Sequence, residues 1–352
     1  MNKRKNEKEK LENKIIETIK KYDLIKSGEK VVIGVSGGPD SICLLDNLNR
    51  IRKKNPLSRK YHQTNLEPVE TNFEIVVAHI NHMIREEAKQ DEQYVKEYCK
   101  KNDIEFYAKS IDVQKMAHTN KIGTEEAGRI ARYQFFDEIL HKTEANKIAV
   151  AHNKNDKIET ILMNTLRGSG MEGLRGIEPK RGKIIRPLIE CERTQIETYC
   201  EERQLNPRID KTNFENIYNR NKIRNVVIPY IQEEFNPNII TTIDRLSDII
   251  TLENEYMEKQ TQNIYQKLVI EEKEKEIIIN LKSFNSQEIV IKSRLVRYII
   301  KRLLASNTSI EKIHIEDIIK LCNNNIGNKY LTPNKNMKVL VRNHKIYFIS
   351  QR

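Results

Sequence analysis

The sequence lacks several features that mark common classes of protein. No apolar run approaches the ~20 residues that a membrane-spanning helix needs. The segment Met1–Lys14 is charged and has no apolar core of the kind found in secretory signals. The five cysteines are scattered and form no Cys-x-x-Cys pair, which argues against a disulfide framework and against a zinc site. These absences predict a cytoplasmic protein with no membrane association.

The composition leaves the partner open. With 352 residues the chain is long enough for two domains, and its 38% of hydrophobic residues can supply a core for each. Lysine and arginine (62) exceed aspartate and glutamate (50), and the resulting charge of +12 suits a polyanion such as RNA. The chain is also rich in Lys, Asn and Ile throughout, a bias that raises the net charge without any binding function. Charge alone therefore does not decide whether the protein binds nucleic acid.

Short apolar segments alternate with helical segments over the first part of the chain. The patterns predict strands at 31–35, 73–79, 104–109 and 147–151, and helices at 42–52, 86–101, 124–143 (capped by Thr124) and 155–166. The alternation predicts an α/β fold with a doubly wound parallel sheet. Ligands of such sheets bind beyond the carboxyl ends of the strands, where the polar segments 34–41, 79–85 and 152–159 fall.

The pattern of the whole chain predicts three regions. A charged helix is expected within residues 1–25, followed by the α/β domain at 26–235 and a smaller α+β domain at 236–352. The boundary falls near 229–238, where prolines and polar residues interrupt the apolar pattern. Further predicted elements are a surface loop at 53–71, helices at 193–204, 214–235, 241–272, 287–305 and 315–323, and strands at 277–281, 329–331, 338–341 and 345–349.

The stretch 31–41 predicts an anion-binding site. An apolar strand runs into Gly37 and Gly38, and a helix with periodic apolar residues follows at once. Pro39 suits a first helical turn, and Ser36 can cap the amides behind it. Amides directed into such a turn attract an anion together with the helix dipole. An ordinary strand-to-helix turn is the simpler interpretation, but the Ser-Gly-Gly-x-Asp-Ser pattern favours the anion site.

The same stretch is neither of two common nucleotide loops. No Gly-Lys-Ser/Thr follows the glycines, as it does in a Walker A loop, and there is no G-x-G-x-x-G fingerprint. Without a lysine, backbone amides and the hydroxyls of Ser36 and Ser41 would hold a phosphate. Asp40 suits such a site only if it acts through a metal ion or orients a substrate group.

Two helical segments carry charged residues toward the same sheet edge. His152, Asp156 and Glu159 are predicted to form one helical stripe. Such a stripe is often a solvated or salt-bridged helix face, but its position at the carboxyl edge of the sheet favours a functional role. Arg129 and Arg132 are predicted to share a helix face as well, where the alternative is pairing with an acidic neighbour, Glu125, Glu126 or Asp137.

In their order and spacing these motifs resemble those of the tRNA(Ile)-lysidine synthases, which are PP-loop ATP pyrophosphatases. The resemblance rests also on four further segments, 166–174, 186–188, 210–213 and 220–224. It covers about residues 26–235 and continues more weakly to the end of the chain. It implies an enzyme that adenylates oxygen two of the wobble cytidine in isoleucine tRNA with a CAU anticodon. An amine of free L-lysine would then attack carbon two and displace AMP.

The resemblance also implies roles for individual residues. The ATP-binding loop would comprise Ser36, Gly37, Gly38, Pro39, Asp40 and Ser41. Asp40 would be linked to Mg²⁺, and Arg132 would neutralise charge that develops at the α-phosphate. Asp156 and Glu159 would form an acidic pocket for lysine, and the base would be one of these two carboxylates or His152. The C-terminal region would contact the tRNA, and a homodimer is implied.

The chain departs from the family pattern at a few positions. Many relatives have a second histidine and acidic residues where this chain has Asn153 and Asn155, and glutamine is usual at the place of Lys157. A different affinity for lysine is therefore expected. The chain ends at Arg352 whereas many members carry a further domain, so a short form or a truncated copy is expected. The means of distinguishing isoleucine tRNA from methionine tRNA with the same anticodon stays open.

Several alternatives remain at this stage. Arg220 and Arg224 either contact tRNA phosphates or are ordinary surface charges, and His79 and His82 either support the structure or line the substrate. The nearest alternative function is a PP-loop enzyme of the 2-thiocytidine synthetase type, which needs paired cysteines. The other is a non-catalytic RNA-binding relative.

Overall fold

The computed structural model describes residues 7–54, 72–81, 83, 88–208, 218–304, 311–324 and 329–351. The chain forms two compact units, Met1–Asp248 and Ile249–Arg352. Their division falls within one long helix, and the boundary at 235–236 stays a prediction. The predicted loop at 53–71 lies almost wholly outside the described residues, and so do His82 and the motif at 210–213.

The first unit is built on a six-stranded sheet. The strands lie in the order β3-β2-β1-β4-β6-β5, and every neighbouring pair is parallel except β5 with β6. The predicted doubly wound parallel sheet is confirmed. The strands are β1 (Lys30–Gly34), β2 (Glu74–Asn81), β3 (Glu105–Ser110), β4 (Lys147–Ala149), β5 (Lys180–Arg181) and β6 (Ile184–Ile185).

Helices cover both faces of this sheet, and β1 is therefore buried on both sides at 31–33. Leu44 and Ile196 belong to the core on one face, and Phe136 belongs to the core on the other. None of the helices in the described ranges has both the length and the apolar character that a membrane crossing requires. The helices are α1 (Glu7–Lys21), α2 (Pro39–Lys53), α3 (Ala88–Asn102), α4 (Val113–Asn120), α5 (Thr124–Lys142), α6 (Lys154–Leu166), α7 (Met171–Leu174), α8 (Arg193–Glu202), α9 (Asn219–Lys222), a π-helical turn (Ile223–Val227), α10 (Ile228–Glu234) and α11 (Ile239–Leu268), which continues into the second unit.

Gly34, the last residue of β1, allows α5 to lie close to the central strand. A Cβ atom at this position would stand 2.3 Å from Cζ of Phe136, well inside van der Waals contact. Phe136 is 3% exposed and packs in the same core as Val32. Packing against α5 therefore requires a glycine here.

Asp46 is a buried carboxylate that joins α2 to α3 and α8. It is 3% exposed and accepts hydrogen bonds from the hydroxyls of Tyr98 and Tyr199 and from Nε of Arg203, the last at 3.2 Å. Burial alone would raise the pKa of Asp46, but these donors outweigh it and lower the pKa below its ordinary value. The carboxylate therefore stabilises the fold when it is ionised.

Asp46→Asn should lower the free energy of unfolding by about 2–4 kcal/mol at neutral pH, because the substitution leaves Arg203 without its buried counterion. The pKa of Asp46 is lowered on folding, so its stabilising effect is present above the unfolded pKa of about 3.9 and is lost as the pH falls below it. Urea unfolding of both proteins between pH 7 and pH 3 measures the difference. A difference in the free energy of unfolding that stays constant across this pH range would contradict the lowered pKa of Asp46.

The second unit is a small α+β domain, as predicted. Its described strands form an antiparallel sheet in the order β7-β8-β11-β10-β9, and the end of α11 packs in the same core with further helices. Ile279, Phe284 and Phe348 are fully buried in its core. The elements are β7 (Val269–Lys273), β8 (Glu276–Asn280), α12 (Leu281–Asn285), α13 (Ile289–Leu304), α14 (Lys312–Asn324), β9 (Tyr330–Asn334), β10 (Met337–Arg342) and β11 (Lys345–Ser350).

Three sequence predictions about helices were wrong in detail. Helix α5 is capped by Gly123, whose extended backbone precedes the helix and whose carbonyl accepts from the amide of Ala127 at 2.9 Å; Thr124 is the first helical residue. The helix predicted at 241–272 ends at Leu268, because the following residues pair as β7 with β8. The helix predicted at 214–235 is interrupted by the π-helical turn in its described part.

Candidate functional site

The predicted nucleotide loop, Ser36–Ser41, leads from β1 into α2 and is closed by its own side chains. Gly37 has a φ of +94°, which favours glycine, and Pro39 lies in the first turn of α2 behind the N-cap Gly38. The buried hydroxyl of Ser41 accepts from the amides of Ser36 and Gly37, both at 3.2 Å, and donates to the carbonyl of Gly38 at 2.9 Å. Ser41 therefore holds the loop in shape from inside.

The exposed Ser36 has a smaller capping role than predicted. Its Oγ accepts from the amide of Gly38 at 3.4 Å, and Gly38 itself is the N-cap of α2. Of the two hydroxyls proposed for phosphate, that of Ser36 is the one at the surface.

Neighbouring elements brace the nucleotide loop. Nδ1 of His79, at the carboxyl end of β2, donates to the carbonyl of Val35 at 2.9 Å. The amide of Arg208 donates to the carbonyl of Gly37 at 3.0 Å. His79 is 2% exposed and burial lowers its pKa, so the ring is neutral and supports the loop. This contact favours the structural interpretation of His79.

Asp40 stands at the first turn of α2, directly beside α6. Its Oδ1 accepts from Nδ2 of Asn153 at 2.7 Å. Burial and the negative charge of Asp156 raise the pKa of Asp40 to about 6, although Arg193 and the bond from Asn153 act in the opposite direction. The carboxylate is still largely ionised at neutral pH.

The predicted stripe of His152, Asp156 and Glu159 does not lie on one helix. Asn153 is the N-cap of α6, so His152 precedes the helix, while Asp156 and Glu159 lie in its first turns. A reciprocal capping box fixes this start, in which Oδ1 of Asn153 accepts from the amide of Asp156 at 3.0 Å and Oδ2 of Asp156 accepts from the amide of Asn153 at 3.1 Å. Asparagine at 153 is a strong capping residue, which the stripe interpretation overlooked.

Asp156 and Glu159 are ion-paired with arginines that are distant in sequence. Nε of Arg224 lies 2.6 Å from Oε1 of Glu159, and Nε of Arg220 lies 2.9 Å from Oε2. Both arginines also reach Oδ1 of Asp156, at 3.1 and 3.3 Å, and Arg193 approaches both carboxylates at 3.8 and 3.6 Å. Burial would raise the pKa of Asp156, but these positive charges lower it. The two acids are therefore neutralised by arginines, and their role as an acidic pocket for lysine stays a prediction.

The same contacts argue against one interpretation of Arg220 and Arg224, that they are ordinary surface charges, and contact with tRNA stays a prediction. They are four residues apart, one on α9 and one in the π-helical turn, and they converge on the 1%-exposed carboxylate of Glu159. They are counterions of buried carboxylates and not ordinary surface charges. A π-helical turn at such a position is a frequent feature of functional sites.

His152 is held by Arg186, from the predicted motif at 186–188. Nε of Arg186 donates to Nδ1 of His152 at 3.3 Å, and its Nη1 donates to the carbonyl of Glu178 at 2.6 Å. Burial lowers the pKa of His152 to about 4, and the nearby guanidinium groups, Arg186 first among them, act in the same direction. The ring is neutral, and because Nδ1 accepts from Arg186 the proton is on Nε2.

Arg132 is exposed on α5 and makes no ion pair with any residue in the described ranges. Its positive charge also contributes to the lowered pKa of His152. Arg129 is exposed as well and lies 6.0 Å from the ring centre of Tyr133. Within the described ranges, the alternative pairing with acidic neighbours on α5 is not observed.

The positions that depart from the family pattern have structural partners. Nζ of Lys157 lies 2.8 Å from Oδ1 of Asp244 and 3.2 Å from Asp248, both on α11. Oδ1 of Asn155 accepts from the amide of Arg193 at 3.0 Å, at the first turn of α8. Lys157 therefore contacts α11 and makes no contact with the carboxylates of Asp156 and Glu159.

Lys157→Gln should reduce stability only modestly. Asp244 keeps Lys154 as a partner at 2.9 Å, so the free energy of unfolding should fall by only about 1–2 kcal/mol. Thermal unfolding of both proteins measures the difference. Unchanged stability would contradict this role for Lys157.

The described residues offer little to hold a metal ion on their own. No three His, Cys, Asp or Glu side chains within the described ranges gather in a way that could bind one. All five cysteines are buried and have free thiols. A cation at this site would need ligands from a bound molecule in addition to Asp40.

Comparison with known proteins adds the family context. The PP-loop domain family ATP_bind_3 matches residues 7–231. The tRNA(Ile)-lysidine synthase of Clostridium acetobutylicum is 46% identical over 92% of this chain and 66% of its own length. That of Clostridioides difficile is 42% identical over 96% of this chain and 70% of its own length. The chain thus spans about two thirds of the length of these relatives.

One solved structure supports the fold alone. The U34-tRNA thiolase of Methanococcus maripaludis, solved with its 4Fe-4S cluster, is 17% identical and has a TM-score of 0.54. The match covers 69% of this chain and 78% of that protein.

Proposed function

The chain belongs to the PP-loop family and, within it, to the tRNA(Ile)-lysidine synthases, and from this premise we propose that it joins free lysine to the wobble cytidine of isoleucine tRNA with a CAU anticodon. The reaction uses ATP in a first step and lysine in a second. AMP and pyrophosphate are the other products. The protein acts in the cytoplasm, and its charge of +12 suits the tRNA partner.

One observation carries the proposal. The nucleotide loop and the carboxylates of α6 meet at the carboxyl edge of the sheet, where Asp40 and Asn153 are joined by a hydrogen bond of 2.7 Å. A two-step ligation needs this arrangement, because the adenylated base must be made and attacked in the same place.

The nucleotide loop serves the first step. Backbone amides and the exposed hydroxyl of Ser36 bind the phosphates of ATP while Ser41 keeps the loop in shape. Asp40 would hold a magnesium ion, because such ions take one or two carboxylates plus phosphate oxygens. The ion supplies charge neutralisation when it is bound. Arg132, which has no ion-pair partner among the described residues, stabilises the charge that develops as oxygen two of the cytosine attacks the α-phosphorus and pyrophosphate leaves.

The carboxylates of α6 serve the second step. The ammonium group of lysine competes with Arg220 and Arg224 for Asp156 and Glu159, so lysine binding exchanges one cation for another. Nδ1 of His152 already accepts a hydrogen bond from Arg186 and is not free to act as the base. The carboxylates of Asp156 and Glu159 therefore accept the proton of the attacking amine. The carbon–nitrogen bond forms at carbon two of the cytosine, and the bond from that carbon to the adenylate oxygen breaks.

Incorporation of labelled lysine tests the function. The full chain, Mg²⁺–ATP, labelled lysine and the isoleucine tRNA transcript should give labelled tRNA, with one pyrophosphate per lysine. Methionine tRNA with the same anticodon is the matched control for specificity. Absence of label, together with ATP hydrolysis that the tRNA does not affect, would refute the proposal. We also propose that the protein is a homodimer, which sedimentation of the same preparation tests.

A further inference from the structure

Asn153 is buried between the nucleotide loop and α6. It is 0% exposed, although asparagine is a polar residue that is mostly found at the surface. It is also one of the positions where the sequence departs from the family pattern. A buried side-chain amide must have partners for its oxygen and its nitrogen.

The two ends of this amide serve different elements. Oδ1 accepts from the backbone amide of Asp156 at 3.0 Å, and Nδ2 donates to Oδ1 of Asp40 at 2.7 Å. The orientation is fixed, because a backbone amide only donates and an ionised carboxylate only accepts. The cap of α6 therefore directs the NH₂ group toward the nucleotide loop.

Asp40 depends on this one donor. Within the described ranges no other hydrogen bond reaches its carboxylate, and its Oδ2 has no protein partner there. The carboxylate also faces repulsion from Asp156, which lies across Asn153 and itself accepts from the backbone amide of Asn153 at 3.1 Å. A neutral residue that donates to both carboxylates lets them stand close together.

We propose that Asn153 is the positioning residue of Asp40, which it holds in the orientation that nucleotide binding requires. This inference rests on the proposed function, since it concerns the same loop. The donor fixes Oδ1 and leaves Oδ2 for the phosphate-bound cation. An aspartate at this position would still cap α6 but would place a carboxylate against that of Asp40. A serine would cap the helix without reaching Asp40.

Binding of Mg²⁺–ATP to Asn153→Asp and Asn153→Ser tests this role. Both variants keep a good capping residue, so their melting temperatures should stay near that of the wild type. Calorimetric titration should show Mg²⁺–ATP binding weakened about 10- to 100-fold for Asn153→Asp and about 10-fold for Asn153→Ser, the loss expected for a charge-assisted hydrogen bond. The KM for lysine should change little. Asn280→Asp is the matched control, because Asn280 caps α12 in the second unit through the amide of Ser283 at 2.9 Å.

A double variant shows whether Asn153 acts through Asp40. With Asp40→Asn already present, Asn153→Asp should cause no further loss of nucleotide binding. Additive losses, or wild-type binding by either single variant, would overturn the inference. If the wild-type protein binds Mg²⁺–ATP but incorporates no lysine, the proposed function fails while the binding comparison still decides the role of Asn153.

Discussion

Asp40→Ala should reduce tRNA-dependent release of pyrophosphate by a factor on the order of 1,000, the scale for loss of a central electrostatic group in an active site. The substitution removes the one carboxylate of the nucleotide loop. The fold should change little in stability, because two effects oppose each other. Burial and Asp156 raise the pKa of Asp40 to about 6, so its charge destabilises the folded protein at neutral pH. Its removal, however, leaves the buried amide of Asn153 without an acceptor. We expect a melting temperature near that of the wild type.

Asp112→Ala is a suitable control for Asp40→Ala. Asp112 is also an acidic residue at a helix start, where it caps α4 by accepting from the amide of Lys115 at 2.9 Å. Its loss should cost about 1 kcal/mol of stability and leave pyrophosphate release unchanged. Substantial pyrophosphate release by Asp40→Ala would show that another group performs its role.

Asp156→Asn should separate the two steps of the reaction. The side-chain oxygen of the new asparagine can still accept from the backbone amide of Asn153, so the cap of α6 is kept. Arg220 and Arg224, however, then share only the single negative charge of Glu159. Lysine transfer should fall by about 100- to 1,000-fold, because the amine loses a partner for its charge and its proton. Pyrophosphate release should fall by no more than about tenfold. Single-turnover assays with labelled ATP and labelled lysine measure the two steps separately.

Asp244→Asn provides the comparison for Asp156→Asn. Asp244 is a buried carboxylate that pairs with two lysines of α6, Lys154 and Lys157. Its loss should destabilise the protein without a selective effect on lysine transfer. Equal loss of both steps in Asp156→Asn would refute the division of roles between the nucleotide loop and α6.

Local sequence patterns were sufficient for the architecture and for the nucleotide loop. The structure of the loop depends on residues that are neighbours in the chain: an apolar strand, Gly37, a proline and a helix with periodic apolar residues. A strand-turn-helix unit can therefore be predicted from this local pattern alone. The alternation of strands and helices then predicts which segments share the carboxyl edge of the sheet. Errors at this level are small, as with Gly123 in place of Thr124 as the cap of α5.

The partners of the charged residues could not be predicted in the same way. Glu159 and Arg224 are 65 positions apart, and nothing in the spacing of either segment indicates that they form an ion pair. The sequence therefore predicted the acidic residues of the pocket but not the arginines that pair with them. The capping preference of Asn153 was the one local signal that would have removed His152 from the helix.

The glycine at the end of β1 has a consequence for the chemistry several residues away. Phe136 occupies the space that a side chain at Gly34 would fill, and Arg132 lies one helical turn before Phe136 on α5. Any larger residue at position 34 would push this helix outward and carry the guanidinium with it. The role proposed for Arg132 thus depends on the absence of a Cβ atom at position 34.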